Sequence, residues 1–133
     1  MYVLDTNTLI YFFKGLGHIP KKLLSISPDQ IAIPSVVLYE LNVGIAKSSS
    51  PQKRSQQLND LCSWVKILDF GQAEASASAK IRADLEKKGL PIGHHDLLIA
   101  GTAIVQNGIL ITRNIKEFNR IPKLELENWY EDA

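Results

Sequence analysis

The 133-residue chain holds one cysteine, Cys62, and its one methionine is Met1. A lone thiol excludes an intramolecular disulfide, which fits a reducing compartment and leads us to expect a cytoplasmic protein. Cys62 lies in an amphipathic helical pattern with Leu58, Leu61 and Val65, so we expect it to pack as a small buried hydrophobe. Excess charge of one sign is also missing: 15 Lys and Arg face 14 Asp and Glu, for a formal net charge of +1. Any attraction for a polyanion must therefore come from local charge placement rather than from a global field. Long apolar runs are absent. "LLIAGTAIV" is too short to cross a membrane. "MYVLDTNTLIYFFKG" lacks a basic leading region and is interrupted by Asp5, so it does not read as a signal peptide. There is no Gly-rich phosphate loop, no dinucleotide fingerprint and no Gly-x-Ser-x-Gly elbow. His18 is isolated in an expected loop. His94 and His95 are adjacent and have no cysteine or third histidine at zinc-ligand spacing, which argues against zinc.

Apolar patterning fills the space these absences leave. At 45% apolar residues the chain can bury a core of its own. "YVLD", "DQIAIPS", "VKILDF" and "ILIT" read as short buried strands, and "KLELENW" alternates like an edge strand. Between them lie helical patterns. "NTLIYFFKG" stops at Gly15, and "VVLYELNVGIAKS" has Ser35 as its expected N-cap. The polar linker "SSSPQKR" offers Ser50 as a cap and Pro51 at the first position of a helix running to about Trp64. "AEASASAKIRADLEKKG" places Ala73, Ala77, Ile81 and Leu85 on one face and stops at Gly89. "HHDLLIAGTAIVQNG" closes at Asn107-Gly108, and the segment after "ILIT" reads as a polar loop. Short apolar strands alternating with helices predict a three-layer α/β/α sandwich with a mainly parallel central sheet.

Ligands of open α/β sheets bind beyond the carboxyl ends of the strands. Asp5 ends the first strand, Asp96 lies in the first turn of the helix entered from "PIG", and Asn114 sits just past the late strand "ILIT". Glu40 lies about one and a half turns into the helix after the second strand, among Val36, Val37, Val43 and Gly44, which is a poor setting for an idle carboxylate. Asp5 and Asp96 could each simply cap a helix. Carboxylates gathered at one edge repel one another unless a hard cation neutralises them, which points to Mg²⁺ or Mn²⁺.

Taken together, "MYVLDTNTLIYFFKG", "IPSVVLYELNVGIAKS" and "ADLEKKGLPIGHHDLLIAGTAIVQNGILITRNIKEFNRIPKLELENW" resemble the PIN-domain ribonucleases of the VapC type, the toxin half of a toxin–antitoxin pair. The likeness covers nearly the whole chain and implies one PIN domain over residues 1–133. It implies a metal-binding site at Asp5, Glu40 and Asp96, with Mg²⁺ or Mn²⁺ as cofactor and metal-dependent hydrolysis of an RNA phosphodiester. A further acidic residue often follows the last buried strand in such proteins. Here Asn114 stands at that position, with Glu117 one turn on, so either could complete the site. An aromatic residue often precedes the Asp of the "PIGxxD" stretch, and His95 takes its place.

The resemblance also implies a homodimer, packed through the small-residue stripe of Ala73, Ala77 and Ile81, and a small antitoxin partner. We expect a hydrophobic antitoxin segment to lie near Tyr11, Phe12, Phe13 and Tyr39 and an antitoxin Arg to approach the acidic cluster. RNA held beside carboxylates needs flanking contacts. Arg113 and Lys116, then Thr6 and Asn7, are the candidates near the site, with Lys14, Lys47, Lys80 and Arg82 further along the chain. Few contacts predict selective cleavage of a folded RNA, a transfer RNA first and a ribosomal RNA loop second.

Three rivals are open to the same residues. A haloacid-dehalogenase-like phosphatase needs a second Asp two residues past the first, where this chain has Asn7. A receiver domain using Asp69 of "KILDF" needs acidic partners in place of Thr6 and Asn7, and a Lys where "ILIT" is followed by Arg113. A non-catalytic PIN-fold RNA-binding module could dispense with its acids, but Asp5, Glu40 and Asp96 are all present.

Overall fold

Runs of apolar residues without polar alternation can only be covered on both faces, and the strands obey this. The computed structural model describes residues 1–131. Its first strand, β1 (Tyr2–Leu4), has Val3 and Leu4 fully buried, and β2 (Ile31–Pro34) is buried along its whole length. β3 (Lys66–Leu68), β4 (Ile109–Ile111) and β5 (Glu125–Glu127) complete a five-stranded sheet in the order β3-β2-β1-β4-β5. Every pairing is parallel, including that of the edge strand β5, so the sheet is wholly rather than mainly parallel.

Helices make the crossovers that parallel strands require. α1 (Thr6–Lys14) follows β1 and ends at Gly15, whose φ of +69° suits glycine and whose N–H returns to the carbonyls of Phe12 and Tyr11. α3 (Ser35–Ala46) begins one residue earlier than expected, with Pro34 rather than Ser35 at the cap. α4 (Pro51–Cys62) starts with Pro51 as expected, although the Ser50 side chain makes no capping bond. α5 (Gln72–Lys87) and α6 (His94–Val105) pack against each other along their lengths. Two short helices were not expected. α2 (Ile19–Leu24) follows His18 and carries Pro20 in its first turn, where a missing N–H costs nothing. α7 (Ile115–Phe118) occupies the segment read as a polar loop. Among the described residues, no helix is long and apolar enough to cross a membrane. Cys62 is half-buried against the core rather than fully enclosed.

The face of α5 that enters the core is shifted by one residue from the expected alanine stripe. Glu74, Ser78 and Leu85 are buried, Ala77 and Ile81 are half-covered, and Ala73 is exposed. Glu74 tolerates burial because its Oε1 accepts the Gly71 N–H at 2.8 Å. Ser78 turns inward because α6 presents Gly101 there. A Cβ at Gly101 would stand 2.0 Å from Ser78 Oγ and 3.0 Å from the Ser78 backbone nitrogen. The crossing of α5 and α6 is close because neither side chain exceeds a hydroxymethyl group. Gly101→Ala is therefore expected to lower stability by roughly 1–3 kcal/mol, the usual cost of overpacking a dense core. A reduced urea midpoint with an unchanged slope would register it, and an unchanged midpoint would contradict this packing.

Candidate active site

β1 sits at the centre of the sheet, with β2 on one side and β4 on the other. The chain leaves β1 towards β2 and reaches β4 only much later, so the crevice beyond β1 and β4 is the point where strand order reverses. Leu4 pairs with Ile111. One residue further on, the Asp5 N–H donates to the Ile111 carbonyl at 3.2 Å, and Thr8 Oγ1 donates to the same carbonyl at 3.1 Å. The register thus carries Asp5 to the crevice beside Thr112 and the start of the Arg113–Asn114 loop.

Asp5 is 5% exposed and is the N-cap of α1, accepting the Thr8 N–H at 2.9 Å. Capping is therefore part of its role. Burial raises its pKa, against the lowering effect of hydrogen bonds from Thr112 and Thr8. Asp96 is different. It lies in the first turn of α6, but Gly93 is the cap, so the capping interpretation fails for Asp96. Burial first, then the charges of Asp5, Glu117 and Glu40, push its pKa up to about 6, with His95 pulling the other way.

Glu40 has both oxygens engaged. Thr6 Oγ1 donates to Oε1 at 2.6 Å, and His95 Nδ1 lies 3.0 Å from Oε2. Thr6, one of the residues the sequence offers as an RNA contact, thus gives its hydroxyl to Glu40. His95 holds Glu40 while its ring meets the exposed Tyr39 edge-on at 5.6 Å. Asn114 caps the short helix α7. Its N–H donates to Thr112 Oγ1 at 3.0 Å and its Nδ2 to Glu117 Oε2 at 3.0 Å. Asn114 and Glu117 thus form one unit rather than alternatives, and Glu117 acts on Asp96 ahead of Glu40. Asp5, Asn7, Tyr11, Arg113 and Asn114 line a hollow of about 280 Å³. Lys116 is exposed on α7, and Arg82 is paired with Glu86 on α5.

The donor set is carboxylate and amide oxygen, the chemistry of a hard divalent cation. Among the described residues, no three carboxylate, imidazole or thiol side chains converge closely enough to cage an ion unaided. Such a set fits Mg²⁺ or Mn²⁺ held by a few carboxylates with water and phosphate completing the shell. Burial first and the neighbouring carboxylates second disfavour charge on Asp96, and a cation would offset the carboxylate repulsion.

The aromatic residues singled out from the sequence divide into separate surfaces. Phe13 lines a hollow of about 300 Å³ with Ile10, Leu41, Ile45 and Glu40. Phe12 and Phe13 line a second of about 330 Å³ with Leu61 and the exposed Leu24 and Trp64. Tyr11 packs instead on Tyr130, ring centroids 4.9 Å apart.

The family model described as PIN domain matches residues 2–124. The chain is 40% identical to "Ribonuclease VapC2" of Rickettsia felis, over 97% of this chain and 98% of that protein. It is 33% identical to "tRNA(fMet)-specific endonuclease VapC" of Salmonella typhimurium, over 96% and 97%. Among solved structures, VapBC2 from Rickettsia felis, bound to a DNA fragment from its promoter, superposes with a TM-score of 0.89 at 42% identity. That match covers 96% of this chain and 98% of the other. DNA-bound VapBC from Salmonella typhimurium gives a TM-score of 0.90 at 34% identity, over 96% and 97%.

A folded-state pKa of about 6, above the usual 3.8, means that the fold prefers Asp96 neutral. That preference stabilises the chain fully below pH 3.8 and is lost as pH rises through 6. Without divalent cation, Asp96→Asn should thus melt a few degrees above wild type at pH 7.5, for on the order of 1 kcal/mol after discounting its partial exposure. The gap should close as pH falls towards 4. A variant melting at or below wild type at pH 7.5 would show that neither burial nor the neighbouring carboxylates disfavour a charge on Asp96.

Proposed function

The chain belongs to the PIN-domain family, among the VapC ribonucleases, and from that membership we propose that it is a divalent-metal-dependent endoribonuclease, the toxin of a toxin–antitoxin pair, working in the cytoplasm as one PIN domain over residues 1–133. The observation that carries the reading is that Asp96, partly buried at the start of α6, feels the charges of Asp5, Glu117 and Glu40, with Asp5 at the crevice where the sheet reverses its strand order. Asp5 and Asp96 would hold the cation, with Glu40 and the Asn114–Glu117 unit around it and water and phosphate completing its shell. When bound, a cation of this kind activates a water and offsets charge on the attacked phosphate and the departing oxygen. The chain's own part is pre-organisation. The Thr8 N–H and the sheet register fix Asp5, Thr6 and His95 fix Glu40, and Thr112 fixes the loop that carries Asn114. No side chain is needed as a nucleophile.

Asn7, Arg113 and Lys116 contact the RNA. The substrate is a folded RNA with an exposed loop, a transfer RNA first, as in the name of the Salmonella typhimurium relative. If the assignment is right, Asp5→Asn and Asp96→Asn lose orders of magnitude in the rate of RNA cleavage while remaining folded. A chelator should stop the wild type, and added Mg²⁺ or Mn²⁺ should restore it. Cleavage at the wild-type rate by either purified variant would remove that residue from the site.

The partner is a small antitoxin. Its apolar segment covers the linked hollows around Phe12 and Phe13, between α1, α3 and α4, from which Glu40 can be approached. The toxin pairs with a second copy through the side of α5 bearing the half-covered Ala77 and Ile81. Co-expression with the small reading frame beside its gene should yield a stable complex containing a dimer of this chain by light scattering. Recovery of this chain alone would count against the toxin reading, and a single copy per complex against the dimer.

A further inference from the structure

Arg113 already holds a carboxylate. Its Nε donates to Glu131 Oε1 at 2.8 Å. Its guanidinium lies 3.7 Å from the centroid of the Tyr130 ring and 5.6 Å from that of Tyr11. The same side chain lines the hollow that contains Asp5, Asn7 and Asn114. A guanidinium packed on a ring, with its edge turned to an oxyanion, is the geometry by which arginine takes a phosphate.

The ring beneath it is anchored without help from Arg113. The His18 N–H donates to the Tyr130 carbonyl at 3.1 Å, and the Tyr130 N–H donates to Asn128 Oδ1 at 2.9 Å. The preceding loop is shaped to receive it. Gly17 has φ +63°, and a Cβ there would stand 2.8 Å from the Tyr130 carbonyl oxygen and 2.9 Å from its Cγ. Tyr11 closes on the other side, edge-on to Tyr130. Glu131 is held more loosely. Its side chain is 54% exposed, and Asn128 Nδ2 donates to its other oxygen. An ion pair this open to water is weak and is readily exchanged for a more highly charged oxyanion.

We propose that Arg113, stacked on Tyr130, is an RNA-phosphate subsite beside the carboxylate crevice, and that Glu131 occupies it in the free protein as a stand-in which the phosphate displaces. This deepens the ribonuclease reading and rests on it for the identity of the ligand. The exchange is ionic and breaks no covalent bond. Tyr130 stays on the 16–18 loop while the Glu131 side chain moves out into solvent. Every RNA that uses the subsite must first displace this carboxylate, so Glu131 lowers affinity at the subsite by the same factor for all of them.

The test has two arms. In the first, a loop-containing RNA is titrated against the chain in an Asp96→Asn background, which holds back cleavage. Adding Glu131→Gln should tighten binding about two- to five-fold, the range expected for loss of an exposed ion pair. It should also steepen the salt dependence by up to about one phosphate contact. On top of Arg113→Ala, which weakens binding by itself, Glu131→Gln should change neither quantity. An equal gain in both backgrounds would reduce Glu131 to a general surface charge and overturn the proposal.

The second arm uses inorganic phosphate as the probe and the melting temperature as the readout, with Asp96 intact. Glu131→Gln should be stabilised at phosphate concentrations several-fold below those wild type needs, and Arg113→Ala should abolish the response. A Glu131→Gln protein that melts lower and gains no phosphate response would show that the pair only clasps the end of the chain. If the phosphate arm succeeds and no RNA binds, the subsite stands and the ribonuclease reading fails. If the native chain cuts RNA while the phosphate arm is flat, the reverse holds.

Discussion

Leu4 lies opposite Ile111 in a parallel pairing, and the chain leaves the sheet immediately after each. From that register follow the placement of Asp5, the contact of its carboxyl with Thr8 and Thr112, and the proximity of the Arg113–Asn114 loop. A shift of one residue would turn Val3 and Leu4 to opposite faces and carry Asp5 away from Thr112. The register is held because both strands are buried: Val3, Leu4, Leu110 and Ile111 have no exposed surface. The chemistry at the crevice depends on hydrophobic burial behind it.

Burying negative charge has an opposing cost, and the chain distributes it unevenly. Asp5 offsets desolvation with a helix-cap bond and threonine hydroxyls. Asp96 lacks such relief and carries the repulsion of three carboxylates. Glu40 is tied down at both oxygens by Thr6 and His95. Burial therefore raises the pKa of both Asp5 and Asp96, and only Asp5 meets it with hydrogen bonds from its own cap and from Thr112.

Much of this was legible in the sequence, and the reasons for the remainder are physical. The buried strands and longer helices announced themselves because apolar periodicity is set by the backbone. Asp5 stood out because it follows a strand, Asp96 because it opens a helix, and Glu40 because its neighbours on the helix are apolar or small. α2 and α7 escaped because helices of six and four residues barely develop a period. The buried face of α5 came out one residue away because its side chains are mostly small, and what decides the rotation is Gly101 on another helix. His95 with Glu40, Thr6 with Glu40, and Arg113 with Glu131 join residues from separate elements. Such pairings depend on distances in space, which no spacing along the chain encodes. Thr6 followed Asp5 closely enough to be noticed, but its partner could not be read.

The sheet is assembled from the inside outward in space but not in time. β1, its central strand, is made first, and its neighbour β4 is among the last segments to be made. On a ribosome, the early half of the chain can pair β1 with β2 and build α1 and α3, yet the other side of β1 stays bare until Ile109–Ile111 has emerged. Contacts closed over so long a loop form late. The growing polypeptide therefore carries Asp5 and Glu40 for most of its synthesis without Asp96, Asn114 or Glu117 in position beside them. The side of the crevice that β4, Thr112 and Asn114 supply is thus the last part of it to be made.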